Sequence, residues 1–204
     1  GPYAIPLNAP IEGGTPASGD RHVLAVDGDG CMLYELYAAQ PGSGIWSAYS
    51  GAVFDLRSNK LRPDGWTSAD AAGLPVLPGL VRRDEATTGE IRHALRFTAN
   101  HTQNAFVHPA THSTGNDTDP NVPPMGARLR LKKSFDVSSF HGASKAVLGA
   151  LQRYGMFLAD NGSSWYLSGE SNTQWNDADL EQLKTVTGSA FEVVKIDEII
   201  KNTQ

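Results

Sequence analysis

The segment from residue 57 to residue 90 limits the possible folds more than any other part of the sequence. It reads RSNKLRPDGWTSADAAGLPVLPGLVRRDEATTGE, with prolines and glycines throughout. Proline removes a backbone donor and interrupts both long helices and central strands, so neither can run through this segment. Apolar side chains such as Trp66 and Leu77 argue against disorder. We predict a long, ordered loop excursion over one end of a sheet, and loops of this length are commonly functional.

Short runs of β-branched and aromatic residues flank this loop on both sides. HVLAVD and CMLYELYA are separated by Gly-Asp-Gly at residues 28–30, which predicts a β-hairpin. A second hairpin is predicted from MFLAD and SWYLSGE around an Asn-Gly turn at residues 161–162. Further strands are indicated by the runs GIWSAYSGAVFDL, EIRHALRFTA, NAFVHPA, ARLRLKKSF and FEVVKI.

Helical periodicity is confined to the C-terminal third. In SSFHGASKAVLGALQRYG, residues 138–155, the apolar side chains form one stripe and the final glycine suits a C-terminal cap. The run DADLEQLKTV, residues 177–186, follows Asn176, which is a favourable N-cap. The fold class predicted is therefore mainly β, with an antiparallel β-sandwich or jelly-roll-like core and two helices in the C-terminal third.

No internal repeat or low-complexity linker divides the 204 residues. A chain of this length can bury one substantial core, so we predict a single domain over residues 1–204. Residues 1–19, which include the proline-rich run GPYAIPLNAPIEGG, are predicted to form an extended N-terminal arm.

Composition excludes several classes of function. The net charge is −5 and there is no basic run, which argues against a nucleic-acid partner. No apolar run approaches the roughly 20 residues that a membrane helix needs, so we expect no membrane partner. The single cysteine, Cys31, rules out an internal disulfide. Phosphate- and dinucleotide-binding glycine motifs are absent, and we predict no cofactor.

Four of the six histidines lie in HALRFTANHTQNAFVHPATH, residues 93–112. One interpretation is a zinc or copper site with ligands taken from His93, His108 and His112 and from Asp160 or Asp20. No metal motif such as H-E-x-x-H supports this interpretation, and we predict no metal. A general acid/base role for His112 or His93 is the preferred hypothesis, and ordinary surface or half-buried histidines are the alternative.

Carboxylates are frequent in the long loop. A glycosidase needs two carboxyl groups a few ångströms apart, and Asp70 with Asp84 or Glu85 could supply them if the loop folds back. Solvated loop carboxylates are an equally good interpretation.

Arginines and aromatic residues give a second set of candidates, for substrate binding. Arginines at alternating strand positions would hold an anionic substrate if the strands are neighbours, and the alternative is a solvated face with ion pairs. Trp66 would stack on a sugar ring, although most tryptophans pack in cores. The substrate-binding candidates are Trp66, Arg96, Arg128, Arg130 and Asp160.

The strings GDRHVLAVDGDGCMLYELY, LRPDGWTSADAAGLPVLPGLVRRDE, IRHALRFT and YGMFLADNG together resemble an uncharacterised family of secreted, mainly bacterial proteins. The resemblance covers most of the chain from Ile11 onward. It implies export and a longer precursor, whose additional N-terminal segment is a candidate partner of this chain. It implies no activity. The family carries an aromatic residue at the position of His108 but matches His112, which favours His112 as the functional histidine.

These observations lead to three expectations about function. The first is a secreted, extracellular carbohydrate-active enzyme, a glycoside hydrolase that cleaves a polysaccharide or oligosaccharide with carboxylate acid/base residues. A polysaccharide lyase acting on a uronate polymer is the close alternative, because it needs a cationic group and a histidine or tyrosine base. The other classes are a glycan-binding module without activity and a partner-binding fragment of a longer precursor.

Overall fold

The computed structural model of the chain describes residues 3–14, 19–196 and 198–201. Parts of the predicted N-terminal arm, residues 1–2 and 15–18, lie outside the described residues. The elements, in chain order, are β1 (Val23–Asp27), β2 (Met32–Tyr37), β3 (Gln40–Pro41), β4 (Trp46–Ser47), β5 (Ser50–Asp55), α1 (Arg83–Thr88), β6 (Leu95–Ala99), β7 (Ala105–Phe106), β8 (Arg128–Leu131), α2 (Gly142–Arg153), β9 (Met156–Asn161), α3 (Asp177–Leu180), β10 (Phe191–Val193) and β11 (Ile200–Lys201). The mainly β prediction is confirmed.

The first sheet is built from the predicted N-terminal hairpin. Strands β1, β2 and β5 lie in that order and pair antiparallel. The carboxylate of Asp27 accepts hydrogen bonds from the backbone of Asp29 and Gly30 and so stabilises the turn. The described part of the N-terminal arm lies against this sheet, where Ile5 is buried and the Trp46 indole donates to the carbonyl of Pro6.

The second sheet has four strands in the order β10, β8, β9, β6. The β10–β8 and β8–β9 pairs are antiparallel, whereas β6 and β9 are parallel. In this register Arg96 and Arg128 both lie opposite Phe157, one on each side, so the three side chains share one face of the sheet. A bulge between Phe97 and Thr98 pairs the latter with Asp160.

The opposite face of this sheet is the apolar core. It presents Leu95, Phe97, Leu129, Met156 and Leu158 to helix α2, whose Val147, Leu148 and Leu151 are buried in the same cluster. The apolar stripe of the helix therefore packs on this face of the sheet. Its N-terminus receives the carboxylate of Asp179, which accepts from the backbone of Ala143 at 2.6 Å.

The run from residue 57 to residue 90 contains a 3-10 turn, Leu77–Gly79, and helix α1. Three polar contacts connect it to the first sheet: the buried Glu35 carboxylate accepts from the backbone of Val76, His22 Nε2 donates to the carbonyl of Ala69, and Ser50 Oγ donates to the carbonyl of Ser68. On the second sheet, the backbone of Ala72 donates to Ala159 in β9. The loop thus lies between the two sheets.

The prediction of a hairpin over residues 156–170 is wrong for its second strand, residues 164–170. Strand β9 forms, but residues 164–170 contact β6 instead, through the backbone bond from Thr98 to Tyr166 and a bridge between Phe97 and Leu167. The local Asn-Gly signal therefore did not determine which strand this segment meets.

Candidate functional site

The centre of the polar face is the side chain of Arg96, which is only 9% exposed. Its Nη2 lies 3.3 Å from Asp70 Oδ2 and 3.8 Å from Asp160 Oδ2, and its Nη1 donates to Ser168 Oγ at 2.8 Å. The Nε group is buried and has no hydrogen-bond partner among the described residues. The guanidinium charge is therefore balanced by two carboxyl groups, one from the long loop and one from β9.

Asp70 organises the turn that passes over β9. Its Oδ1 accepts hydrogen bonds from the backbone of Ala72 at 3.0 Å and Leu74 at 3.1 Å. Burial raises the pKa of Asp70 to about 7, against the opposing effect of Arg96. The side chain is 0% exposed, so it can position Arg96 and this turn but has no surface for contact with a substrate.

Asp160 differs from Asp70 because its side chain is 22% exposed. Its Oδ1 accepts from the backbone of Asn161 at 2.8 Å. Burial raises its pKa, Arg96 and the backbone of Ala71 act in the opposite direction, and the negative charge of Asp20 raises it further. A carboxyl group that keeps its proton above the usual range and also reaches the surface is suited to act as a general acid.

His112 is anchored at the same place as Asp160. Its Nδ1 lies 2.8 Å from the carbonyl oxygen of Ala71, which can only accept, so Nδ1 carries a proton. The neutral ring then has its lone pair on Nε2, for which the structure shows no partner within the described residues. Ala71 therefore contacts Asp160 through its N–H and His112 through its carbonyl, so the candidate acid and the candidate base bond to the same residue of the turn.

Two further buried ionisable groups lie behind this turn, and sequence analysis missed both. Glu35 accepts from the backbone of Val76 and Leu77, each at 2.9 Å, and burial raises its pKa. Burial of His22 disfavours its charged form, but its hydrogen bonds with Glu12 at 2.7 Å and Ala69 at 2.8 Å outweigh that effect and raise its pKa. Glu35 had a sequence signal, because it is in phase with the core residue Leu33 in β2.

A cavity of about 620 Å³ lies on the same face of the sheet, on the other side of the Asp70–Leu74 turn. Its walls are mostly apolar and include Phe54, Leu74, Pro75 and Phe157. Basic side chains also line it: Lys60, Arg62, His93 and Arg96. Arg96 therefore belongs both to the wall of this cavity and to the site around Asp160, which its guanidinium contacts.

The predicted catalytic carboxylates do not come together. Asp84 is exposed on α1 and accepts from the backbone of Glu85. Glu85 pairs with Arg82 at 2.7 Å and with His93 Nε2 at 3.0 Å. Neither Asp84 nor Glu85 shares a hydrogen-bond or ion-pair partner with Asp70 among the described residues. His93 also places Nδ1 2.8 Å from the carbonyl of Ala94, so both its ring nitrogens already have a hydrogen-bond partner within the protein.

The predicted substrate-binding residues are dispersed as well. Trp66 is 57% exposed and packs against the guanidinium of Arg62. Arg128 donates to the carbonyl of Tyr154 and lies over the Phe157 ring. Arg130 is exposed and pairs with Glu192. Of the predicted binding residues, the structure brings only Arg96 and Asp160 into contact.

The histidines do not form a metal centre. His108 pairs with Asp64 at 2.9 Å, whereas His93 pairs with Glu85 and His112 contacts the carbonyl of Ala71. Within residues 3–14, 19–196 and 198–201, no group of three or more histidine, cysteine, aspartate or glutamate side chains is arranged to hold a metal ion.

Comparison with family models, curated proteins and solved structures gives no match. The resemblance to secreted bacterial proteins therefore stays a prediction. Among the described helices, none has the length and apolar character required to cross a membrane.

Proposed function

We propose that the protein is a secreted carbohydrate-active enzyme, a glycoside hydrolase in which Asp160 is the general acid. The observation that carries this proposal is the environment of Asp160. Its carboxyl group is partly exposed, its pKa is raised by burial and by Asp20, and Arg96 and the backbone of Ala71 and Asn161 fix its position. The acid is thus Asp160 instead of a member of the loop set Asp70, Asp84 and Glu85.

The proposed reaction uses one acid and one base. Asp160 donates its proton to the glycosidic oxygen as the bond from that oxygen to the anomeric carbon breaks. His112 Nε2 takes a proton from water, and the water oxygen bonds to the anomeric carbon. Arg96 then stabilises the carboxylate that Asp160 becomes, since its Nη2 lies 3.8 Å away. Each cleavage consumes one water molecule.

A lyase acting on a uronate polymer is the second candidate. It is favoured by the lone pair on His112 Nε2, which could remove the proton next to the uronate carboxyl group, and by the Arg96 cation beside Asp160. The same residues would act, but the products would contain a carbon–carbon double bond and no added water.

Mass spectrometry of products from neutral and acidic polysaccharides tests the proposal. Fragments heavier by one water per cleavage support hydrolysis, and unsaturated fragments support the lyase. Asp160→Asn should lower kcat/KM by about 10²–10⁴-fold, because the amide cannot donate the required proton. The matched control is Asp84→Asn on exposed α1, which should leave activity unchanged. Absence of fragments from every substrate would contradict an enzyme and favour a glycan-binding module.

A further inference from the structure

The cavity beside Asp160 is a separate compartment. Gly73 and Leu74 form part of its wall, and the turn to which they belong is fixed to β9 by the bond from Ala72 to Ala159. The cavity floor is the polar-side face of the sheet, at Phe157, and the opposite wall is the chain that leaves β5, residues 54–62. Its volume of about 620 Å³ is in the range of small-molecule sites.

The lining of this compartment does not suit a sugar. Phe54, Leu61, Leu74, Pro75 and Phe157 present hydrocarbon, which cannot hydrogen-bond to the many hydroxyl groups of a carbohydrate. A ligand that fills the cavity should therefore have an apolar body of its own.

Two cations in this lining, Lys60 and Arg62, have no ion pair with a carboxylate among the described residues, whereas several cations on the surface do. Arg57 pairs with Asp55, Arg92 with Glu90, Arg130 with Glu192 and Lys184 with Glu181. In contrast, Lys60 makes no ion pair within the described part of the chain.

Arg62 is held in place without an ion pair among the described residues. Its Nε and Nη2 donate to the carbonyl of Thr67 at 3.0 and 2.7 Å, and its guanidinium lies against the rings of Phe54 and Trp66. Asp55 is the carboxylate of the lining, and it is already paired with Arg57. The compartment therefore combines hydrocarbon walls with excess positive charge.

We propose that this cavity binds a small organic carboxylate with an aromatic or aliphatic body. Lys60 and Arg62 pair with the carboxylate, and the body packs on Phe54, Leu74 and Phe157. This site is distinct from the one at Asp160 and does not depend on glycoside cleavage.

Isothermal titration calorimetry with trans-cinnamate and octanoate tests the site, with cinnamamide as the neutral counterpart of the first. We expect saturable binding of at least one carboxylate and binding of cinnamamide at least tenfold weaker. Lys60→Gln and Arg62→Gln together should weaken carboxylate binding tenfold or more. Lys133→Gln, which changes an exposed lysine elsewhere, is the matched control and should bind as the unchanged protein does.

Three results would overturn the proposal: no saturable binding of either carboxylate, equal affinity for cinnamate and cinnamamide, or unchanged affinity in the double variant. Because Arg62 also packs against aromatic rings, the single variant Lys60→Gln keeps the test valid if the double variant does not fold; its side chain is exposed and its loss should still weaken binding measurably. Asp160→Asn should bind the probes normally, which separates this site from the proposed hydrolase site.

Discussion

The two faces of the four-stranded sheet are covered in different ways. On one face, side chains such as Leu129 and Leu158 pack against helix α2. On the other face, Arg96 and Asp160 are covered by the turn at Asp70, which is part of a loop. A helix satisfies its own backbone hydrogen bonds, whereas a loop brings unpaired backbone donors into the interior.

This difference explains why the carboxylates of Asp70 and Glu35 are buried against the loop. Asp70 accepts from two backbone N–H groups of its own turn, and Glu35 accepts from two at the 3-10 turn. Asp70 thereby accepts from the N–H group of Leu74, and Glu35 accepts from those of Val76 and Leu77, which begin the 3-10 turn. The loop-covered face therefore carries charge and a candidate site, while the helix-covered face of the sheet is lined by apolar side chains.

The largest expected effect is on the loop-covered face. Arg96→Met should lower the free energy of unfolding by about 3–5 kcal/mol, because it leaves two carboxyl groups without their cation. Urea denaturation at about pH 8, where those groups are most ionised, measures the effect. Arg92→Gln is the matched control, since Arg92 is exposed and pairs only with Glu90. If Arg96→Met lowers the free energy of unfolding by less than Arg92→Gln does, Arg96 does not stabilise the buried carboxylates.

A smaller effect is expected on the helix-covered face. Leu148→Ala should cost about 3 kcal/mol, because Leu148 is fully buried in α2 and the truncation leaves a cavity. The cost should be the same at acid and neutral pH, which distinguishes this face from the other. Leu56→Ala, at a 45% exposed position, should cost under about 0.5 kcal/mol in the same denaturation experiment.

The pH dependence of stability should come from the loop-covered face. Asp70, Glu35 and Asp160 have raised pKa values, so above the usual carboxyl pKa of about 4 the unfolded chain binds fewer protons than the folded chain. The free energy of unfolding should therefore fall as pH rises from about 4 to 7, by up to about 1.4 kcal/mol per pH unit for each group. His22, with its raised pKa, acts in the same direction.

Thermal and urea unfolding of the unchanged protein and of Asp70→Asn across this pH range check the expectation. The variant cannot ionise at residue 70, so its stability should decline less steeply with pH. Identical slopes in the two proteins would mean that Asp70 does not titrate between the folded and unfolded states.

The smallest effect is expected at the uncovered edge of the same face. Arg130 shares its side of the sheet with Arg128, but the loop does not cover it and it pairs with Glu192 in solvent. Arg130→Gln should cost under about 1 kcal/mol and should become neutral at high salt. If Arg130→Gln lowers the free energy of unfolding about as much as Arg96→Met does, the stabilisation by an arginine depends on its place on this face and not on coverage by the loop.

Several elements could be predicted from the sequence because their signals are local. The turn at residues 28–30 pairs β1 with β2, and the apolar stripe of α2 faces the core. Helix α1, which lies in the long loop, was not predicted. Its short run of residues, RDEATT, lacks an apolar stripe.

The candidate site was predictable only in part. Asp160, His112, Arg96 and Asp70 were each identified, but they were assigned to different groups: Asp70 to a pair with Asp84 or Glu85, and Arg96 to an arginine surface with Arg128 and Arg130. In the structure, β9 lies between the strands of these arginines and places Phe157 between Arg96 and Arg128. Glu35 and His22 were not identified as part of this region.

The sequence by itself determined the mainly β class, the hairpin of β1 and β2 and the apolar stripe of α2, since these depend on side-chain period and turn residues within a few positions. Only the tertiary structure decided that β6 pairs parallel with β9, that Arg96 is buried, and that the Asp70 turn joins Asp160 to His112. The physical reason is that burial and pairing depend on which distant segment covers a residue. That choice sets the pKa of a carboxyl group, and no local pattern encodes it.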